Sequence, residues 1–353
     1  MKLIFTADTH FGSKFNNYSA QGTPYGGDER GARLIREFEK ILLYAQSNGI
    51  DTVLLGGDLF DSPCPEAETQ AAVRRVFDKY PTLKFYAVCG NHDPLYATKF
   101  YGDPPKNLYV FPDRITKAEL DGVSVYGISL SDSFDAPDPW EGFHADGRFI
   151  TLCHGTISGM GGFSLNPRTL SDSKAALSLI GHIHKRSEYT LPSGRRALYP
   201  GTPAGRGFDE CGEKSFFVID TDDFSYTAVN TSAEIYREYT FDISGARSGA
   251  DILEILSTVT PAENEISRAV LTGSMRAPFN IDCGAICSHT DGFVQVKDET
   301  KADIDYFKSI GENTLEGKFV SILAKKLENA AESERETILD AIKEGVIAIR
   351  SGR

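Results

Sequence analysis

Five short motifs hold the residues able to do chemistry: Asp8-Thr9-His10, Gly57-Asp58-Leu59-Phe60-Asp61, Gly90-Asn91-His92-Asp93, His154-Gly155 and Gly181-His182-Ile183-His184. Carboxylate, imidazole and amide oxygen are the donors that divalent first-row metals accept. Asp8, His10, Asp58, Asn91, His154, His182 and His184 supply seven of them. Two ions about 3.5–4 Å apart, sharing one carboxylate, would clamp both oxygens of an in-line phosphoryl displacement and acidify a bridging water. Each motif alone is weak evidence. Asp-x-His can be a polar loop cap, Gly90-Asn91 a turn, Asp61 a helix cap and His154 a hydrogen-bonded structural histidine. His-x-His is more specific, because strand alternation puts both rings on one side. The set is what counts: five of the seven histidines fall in these motifs. His144 and His289 match none of them and read as solvent-exposed.

The elements that must position these motifs are legible from hydrophobic periodicity. Leu3–Thr6, Asp51–Leu55 and Leu83–Val88 read as strands. Residues 28–48 read as a helix with Asp28 as N-cap and Leu34, Ile35, Phe38, Ile41, Leu42 and Ala45 on one face. Residues 66–79 read as a second helix, buried through Ala72, Val73, Val76 and Phe77. This β-α-β-α-β rhythm predicts a parallel sheet covered by helices. Asp121-Gly122, between Ile115–Leu120 and Val123–Ile128, predicts a hairpin. Further strands are expected at Phe149–Cys153, Leu177–Ile180, Ser187–Leu191, Ala197–Tyr199 and Ser215–Ile219. Every motif then follows a strand, and in α/β sheets sites gather at the carboxyl ends of strands.

Beyond about residue 230 the texture changes. Residues 235–299 read as a small α+β unit, with strands at 236–241, 267–272 and 293–297 and a helix at 250–258. Gly317–Ala330 reads as a helix, and Ser333 with Glu336 as a capping box opening another. The expected organisation is therefore 1–230, 231–300 and a helical segment 301–353. The chain has 353 residues and a net charge of -13, unevenly spread. Residues 1–220 carry 23 basic and 27 acidic side chains, and residues 221–316 carry 7 and 17. A wholesale basic coat for nucleic acid is excluded, and the acidity is placed outside the motif-bearing region. No apolar run approaches the roughly 18 residues of a membrane helix, and the N-terminal apolar stretch is too short for a signal peptide. Six scattered cysteines without a CxxC pair point to free thiols and a cytoplasmic location.

In this order the motifs resemble those of the calcineurin-like metallophosphoesterases, over roughly residues 1–220. The resemblance implies an α/β (α+β) core of four layers, α/β/β/α, with two packed mixed sheets. It implies that Asp8, His10, Asp58 and His184 hold one metal and that Asp58, Asn91, His154 and His182 hold the other, with Asp58 bridging. His92 would be the non-ligand histidine that protonates the leaving oxygen or stabilises the transition state, oriented by Asp61 or Asp93. Thr6–Gly12, Tyr199-Pro200-Gly201-Thr202-Pro203, Gly207–Glu210 and Thr314–Val320 are further similar to SbcD-type DNA-repair exonuclease subunits. That similarity implies a manganese-dependent 3′-to-5′ exonuclease with some endonuclease activity, a homodimer, and an SbcC-type ATPase partner. It also makes residues 231–300 a capping domain. Iron and zinc fit the same donors. Candidate phosphate contacts are Lys14, Arg168, Lys185, Arg186, Arg195, Arg196 and Arg206, with Lys185-Arg186, beside His184, the foremost. The loop 11–27, with Asn16, Asn17, Tyr18 and Gly26-Gly27, is a candidate contact to DNA or a dimer mate. The last two helices are a candidate docking hairpin for the ATPase. A phosphatase or a cyclic-nucleotide or small-molecule phosphodiesterase on the same core is the alternative, although Asp61 is followed by Ser62-Pro63 rather than the Arg-Gly of the protein phosphatases. A non-catalytic scaffold is the third reading; it would show lost ligands, and all seven are present.

Overall fold

The computed structural model describes residues 1–13, 27–132, 135–231, 234–276, 281–303 and 305–351. Lys14 and residues 14–26 of the candidate loop, Asn16, Asn17 and Tyr18 among them, lie outside the described residues.

The first half builds two sheets in alternation with helices. β1 (Lys2–Thr6), α1 (Gly27–Ser47), β2 (Thr52–Leu55), α2 (Ala67–Lys79), β3 (Lys84–Ala87) and β4 (Leu108–Val110) form the parallel part of the first sheet. β5 (Thr116–Leu120) and β6 (Val123–Gly127) are the expected hairpin. β7 (Phe149–Ile157), β8 (Phe163–Leu165), α3 (Pro167–Asp172), β9 (Leu177–Gly181), β10 (Ser187–Thr190) and β11 (Arg196–Tyr199) complete the second sheet and its cover. β12 (Ser215–Asp220) and β13 (Tyr226–Asn230) return to the first. The strand orders are β13-β12-β1-β2-β3-β4 and β10-β11-β9-β7-β6-β5, with β8 paired to β7.

Alternation along each strand sorts the core into layers. In β1, Leu3 and Phe5 enter a cluster with Leu54, Val125, Ile150, Leu152, Leu179 and Phe217, drawn from both sheets. That cluster is the seam between the sheets. Ile4 points the other way, into a cluster with Phe38, Ile41 and Leu42 of α1 and Val73 and Phe77 of α2. On the far face of the second sheet, Cys153, Ile180 and Tyr199 pack with Leu170 of α3 and the fully buried Trp140. The order is therefore helices, sheet, sheet, then α3 and the Trp140 loop, the four layers the motifs imply. The six cysteines are all free.

Three details differ from the periodicity reading. β7 runs on to Ile157, so His154 lies inside a strand, paired with Gly181 of β9, instead of following it. Pairing to β9 on one side and to β8 on the other keeps the chain extended beyond the apolar run. Asp28 falls within α1, not before it. Ser333 falls inside the first turn of a helix that begins at Glu332.

The rest of the chain continues as β14 (Ile235–Asp242), α4 (Gly249–Leu256), β15 (Glu265–Thr272), β16 (Ser274–Arg276), α5 (Cys283–Ser288), β17 (Phe293–Asp298), β18 (Lys301–Asp303), α6 (Leu315–Glu328) and α7 (Glu332–Ser351). β14, β15 and β17 form a three-stranded sheet, and β16 pairs with β18. The chain divides into two compact units: residues 1–239 with 259–269 and 287–296, and the remainder. In the second unit, Thr314 caps α6 by accepting a bond from the Gly317 N–H at 3.0 Å. Val320 of α6 packs with Ile338, Ile342 and Val346 of α7, closing the helical pair. No helix among the described residues is long and apolar enough to cross a membrane.

Candidate metal centre

Four of the motifs meet at the carboxyl ends of β1, β2, β3 and β9, and the fifth, His154-Gly155, reaches the same place from within β7. Backbone bonds continue past the strands and weld the loops together. Asp8 N–H donates to Gly57 O and His10 N–H to Asp58 O, each at 3.0 Å, and Phe11 N–H donates to Leu59 O at 2.8 Å. His92 N–H donates to Asp58 Oδ1 and His182 N–H to Asp8 Oδ1, both at 2.9 Å. Asp8, His10, Asp58 and His182 all take positive φ, at 55°, 46°, 51° and 100°. Such conformations cost a non-glycine residue about 1–3 kcal/mol and collect at functional sites. Glycine is required beside them: a Cβ on Gly90 would overlap the Asp58 carboxylate.

The side chains converge in two groups. His10 Nε2 lies 3.0 Å from His184 Nε2. His154 Nε2 and His182 Nδ1 each lie 3.0 Å from Asn91 Oδ1 and 3.3 Å from each other. Asp58 Oδ2 stands between the groups, 3.6 Å from His10 Nε2 and 3.3 Å from His154 Nε2. Asp8, His10 and His184 form one cluster able to hold a metal ion, and Asp58, His154 and His182 another.

Polar partners on the far sides of the rings hold their orientation. Nδ1 of His10 faces Asp61 Oδ1 at 2.9 Å, Nδ1 of His184 faces Glu210 Oε1 at 2.8 Å, and Nδ1 of His154 faces Gly56 O at 2.9 Å. Gly56 O only accepts, so Nδ1 of His154 carries the proton and its Nε2 is left to ligate. Nδ1 of His184 lies also 2.9 Å from the donor Arg206 Nη2, and the Nε2 atoms of His10 and His184 face each other at the centre. The inner atoms are thus lone pairs and carboxylate oxygens crowded at about 3 Å, with few donors among them. A divalent cation is what such a donor set fits.

Burial and close neighbours shift the protonation of these groups. Burial raises the Asp8 carboxyl to about 6. Burial also opposes the charge on Asp58, yet the imidazoles of His154 and His10 outweigh it and hold that carboxyl well below its usual range. Burial disfavours a charged His154, but Asp58 and Asp8 overcome this and lift it to about 9. His10 and His182, both chiefly through burial, fall to about 4. The metal-free chain therefore carries a proton on His154 at pH 7. An ion taking Nε2 must displace it, so ion affinity rises with pH up to about 9. Calorimetric titration in buffers of differing ionisation enthalpy is expected to read about one proton released per chain near neutral pH. Heats independent of the buffer would show that no such proton is there.

Asp61 and Asp93 separate clearly. His92, with a half-exposed ring, has Nδ1 at 3.1 Å from Asp61 O and 3.9 Å from Asp61 Oδ1. Asp93 is fully buried, accepts from Gly90 N–H at 2.9 Å and Phe60 N–H at 3.0 Å, and receives the Tyr101 hydroxyl. Its recorded bonds tie the Asp58 loop to the Asn91 loop, and none of them reaches His92. Lys185, Arg186, Arg168 and Arg196 are exposed, and His144 and His289 also face solvent. Arg206 is different: it is mostly buried and paired to Asp61 and Glu210. Glu210 is the residue the motif reading missed. It stands 26 positions after His184, and no local pattern marks it as that ring's partner.

The model of the calcineurin-like phosphoesterases matches residues 1–186, more than half of the chain, and the chain belongs to that family. It is 24% identical over 283 residues to the uncharacterized metallophosphoesterase YhaO of Bacillus subtilis, covering 72% of this chain and 66% of that one. It is 28% identical over 137 residues to the DNA double-strand break repair protein Mre11 of Methanosarcina mazei, covering 36% of this chain and 20% of that one. It is 32% identical over 98 residues to the SbcD component of the SbcCD nuclease of Rhodobacter capsulatus, covering 27% and 22%. The chain thus spans just under two thirds of the first relative and about a fifth of the other two. Among solved structures, TT1561 of Thermus thermophilus is 16% identical, with a TM-score of 0.43, covering 65% of this chain and 98% of that one.

Proposed function

We propose that this chain is a two-metal phosphodiesterase that acts on DNA, removing nucleotides from 3′ ends with some endonuclease activity, in DNA repair. The observation that carries the metal reading is the convergence of seven donors in two groups, with Asp58 Oδ2 reaching toward both. Asp8, His10, Asp58 and His184 would hold one ion, and Asp58, Asn91, His154 and His182 the other. Manganese is the proposed metal, and iron and zinc suit the same donors. DNA as the substrate is supported by the names of two relatives, a break-repair protein and a nuclease component.

When bound, the two ions supply Lewis-acid charge neutralisation and a nucleophile at neutral pH. The protein does the rest. His92 Nδ1 donates to the Asp61 carbonyl, which leaves Nε2 free to protonate the departing oxygen. The tight Asp61–His10 pair fixes that loop beneath His92. Lys185 and Arg186, exposed beside His184, would neutralise flanking phosphates. The proposed assembly is a homodimer with an SbcC-type ATPase. Leu315 and Ile322 of α6, 72% and 68% exposed, offer that partner an apolar face. Deleting residues 314–353 is expected to abolish co-purification with the ATPase; unchanged recovery would remove this role.

The substrate is tested by incubating the manganese-loaded protein with end-labelled DNA, a chromogenic phosphodiester and a phosphomonoester. Both diesters are expected to be cleaved, with mononucleotides leaving the DNA 3′ end. Intact DNA beside a hydrolysed small diester would reassign the chain to small-molecule substrates, and cleavage of the monoester alone would make it a phosphatase.

A further inference from the structure

Arg206 stands behind the metal centre and touches both carboxylates that orient one ion's imidazoles. Its Nη1 donates to Asp61 Oδ1 at 2.9 Å. Its Nη2 and Nε donate to Glu210 Oε1 at 2.7 and 3.0 Å, and its backbone N–H donates to Glu210 Oε2 at 2.8 Å. Asp61 Oδ1 meets His10 Nδ1 at 2.9 Å, and Glu210 Oε1 meets His184 Nδ1 at 2.8 Å. The two Nε2 atoms face each other at 3.0 Å. The contacts close a ring: Arg206, Asp61, His10, the ion position, His184, Glu210 and back to Arg206, whose Nη2 also lies 2.9 Å from His184 Nδ1. Asp61 and His10 come from the first two motifs, His184 from the last, and Arg206 and Glu210 from the loop after β11.

That loop is itself held in place. Phe208 packs against the Tyr236 ring at 5.3 Å and under the Arg268 guanidinium at 4.2 Å. Gly212 N–H donates to Tyr236 O at 2.9 Å. The Glu210 carboxylate is only 5% exposed, and it engages His184 and Arg206 alone among its recorded side-chain bonds. Burying a carboxylate is costly unless charge and donors compensate it, and Arg206 provides both. The rigid fork of a planar guanidinium suits serving two carboxylates at once, and Arg206 reaches both.

We propose that Arg206 is a positioning residue that sets one of the two ion sites, that of Asp8, His10, Asp58 and His184, by clamping the carboxylates behind both of its imidazoles. It is not a phosphate contact, the role its basic character suggests from sequence. The ring leaves the His154–His182–Asn91 group untouched. Loss of the clamp therefore weakens one ion and spares the other. This inference rests on the two-metal reading of the centre.

The test is manganese titration of the full chain by calorimetry, beside DNA kinetics over a range of salt. In Arg206→Gln, affinity for one ion is expected to fall about 10–100-fold, the range for removing a ligand's orienting partner. Affinity for the other ion should hold. Glu210→Gln should weaken the same ion, and Arg206→Lys, a point charge on one carboxylate, should fall between. KM for DNA and its salt dependence are expected to stay unchanged, while kcat recovers in excess manganese. Both ions held as tightly as in the parent, with a raised KM and a flatter salt dependence, would overturn the clamp and make Arg206 a phosphate contact. Equal weakening of both ions in Arg206→Lys, the variant with the least disturbed packing, would also overturn it. A parent chain that binds no manganese would instead defeat the two-metal reading.

Discussion

Asp58→Ala is expected to abolish hydrolysis, by at least about a thousandfold or ~4 kcal/mol of barrier, and to lose at least one ion. The argument is geometric. Asp58 Oδ2 lies within 3.6 Å of imidazole nitrogens from both groups. Removing it takes the shared anion from both positions and leaves the imidazoles crowded without a counter-charge. The effect is visible without metal. Asp58 is the foremost favourable influence on His154, whose pKa stands at about 9 against the pull of burial. In the metal-free Asp58→Ala variant the His154 titration followed by NMR should move down sharply. Two ions per chain by elemental analysis, or an unmoved His154 titration, would contradict the bridging place assigned to Asp58.

His92→Ala should have the opposite signature: both ions retained and turnover lost by about 10²–10⁴-fold. His92 reaches Asp58 through its backbone N–H, at 2.9 Å, and alanine keeps that bond. Its ring is 43% exposed, so little packing is lost. The ring's contribution is a proton for the leaving oxygen, and that sets a second expectation. A chromogenic diester with an acidic leaving group needs no proton and should lose far less than DNA does. Equal losses on both substrates would remove the acid role, and a fall in metal content would make the histidine part of the ion site.

Much of this centre was legible in the sequence because each motif follows a short apolar run, and strand ends place side chains at one edge of a sheet. Phe5, Leu55 and Ile180 are buried as the alternation requires. His154 is instructive: Phe149–Cys153 marks a strand, but the continuation to Ile157 depends on pairing with β8 and β9, which apolar periodicity does not register. The choice between Asp61 and Asp93 lay beyond sequence for a different reason. Both are motif aspartates, and only the fold turns one toward His10 and His92 and the other toward Gly90 and Phe60. Arg206 and Glu210 were hidden for a third reason. Their partners lie far away in sequence, up to 145 residues for Arg206 and Asp61. A basic residue in a loop after a phosphoesterase core reads as a phosphate contact until its neighbours are seen.

The acidity of the chain no longer argues against nucleic acid. It is concentrated beyond residue 220. At the centre itself, two ions would bring up to four positive charges to two buried aspartates, which inverts the local charge.

The most direct test of the whole account is manganese stoichiometry of the parent chain, followed with phosphodiesterase activity as the ion is added to metal-stripped protein. The account predicts two ions bound per chain, with hydrolysis appearing as the second site fills. A single ion per chain, or full hydrolysis in the metal-stripped protein, would contradict it.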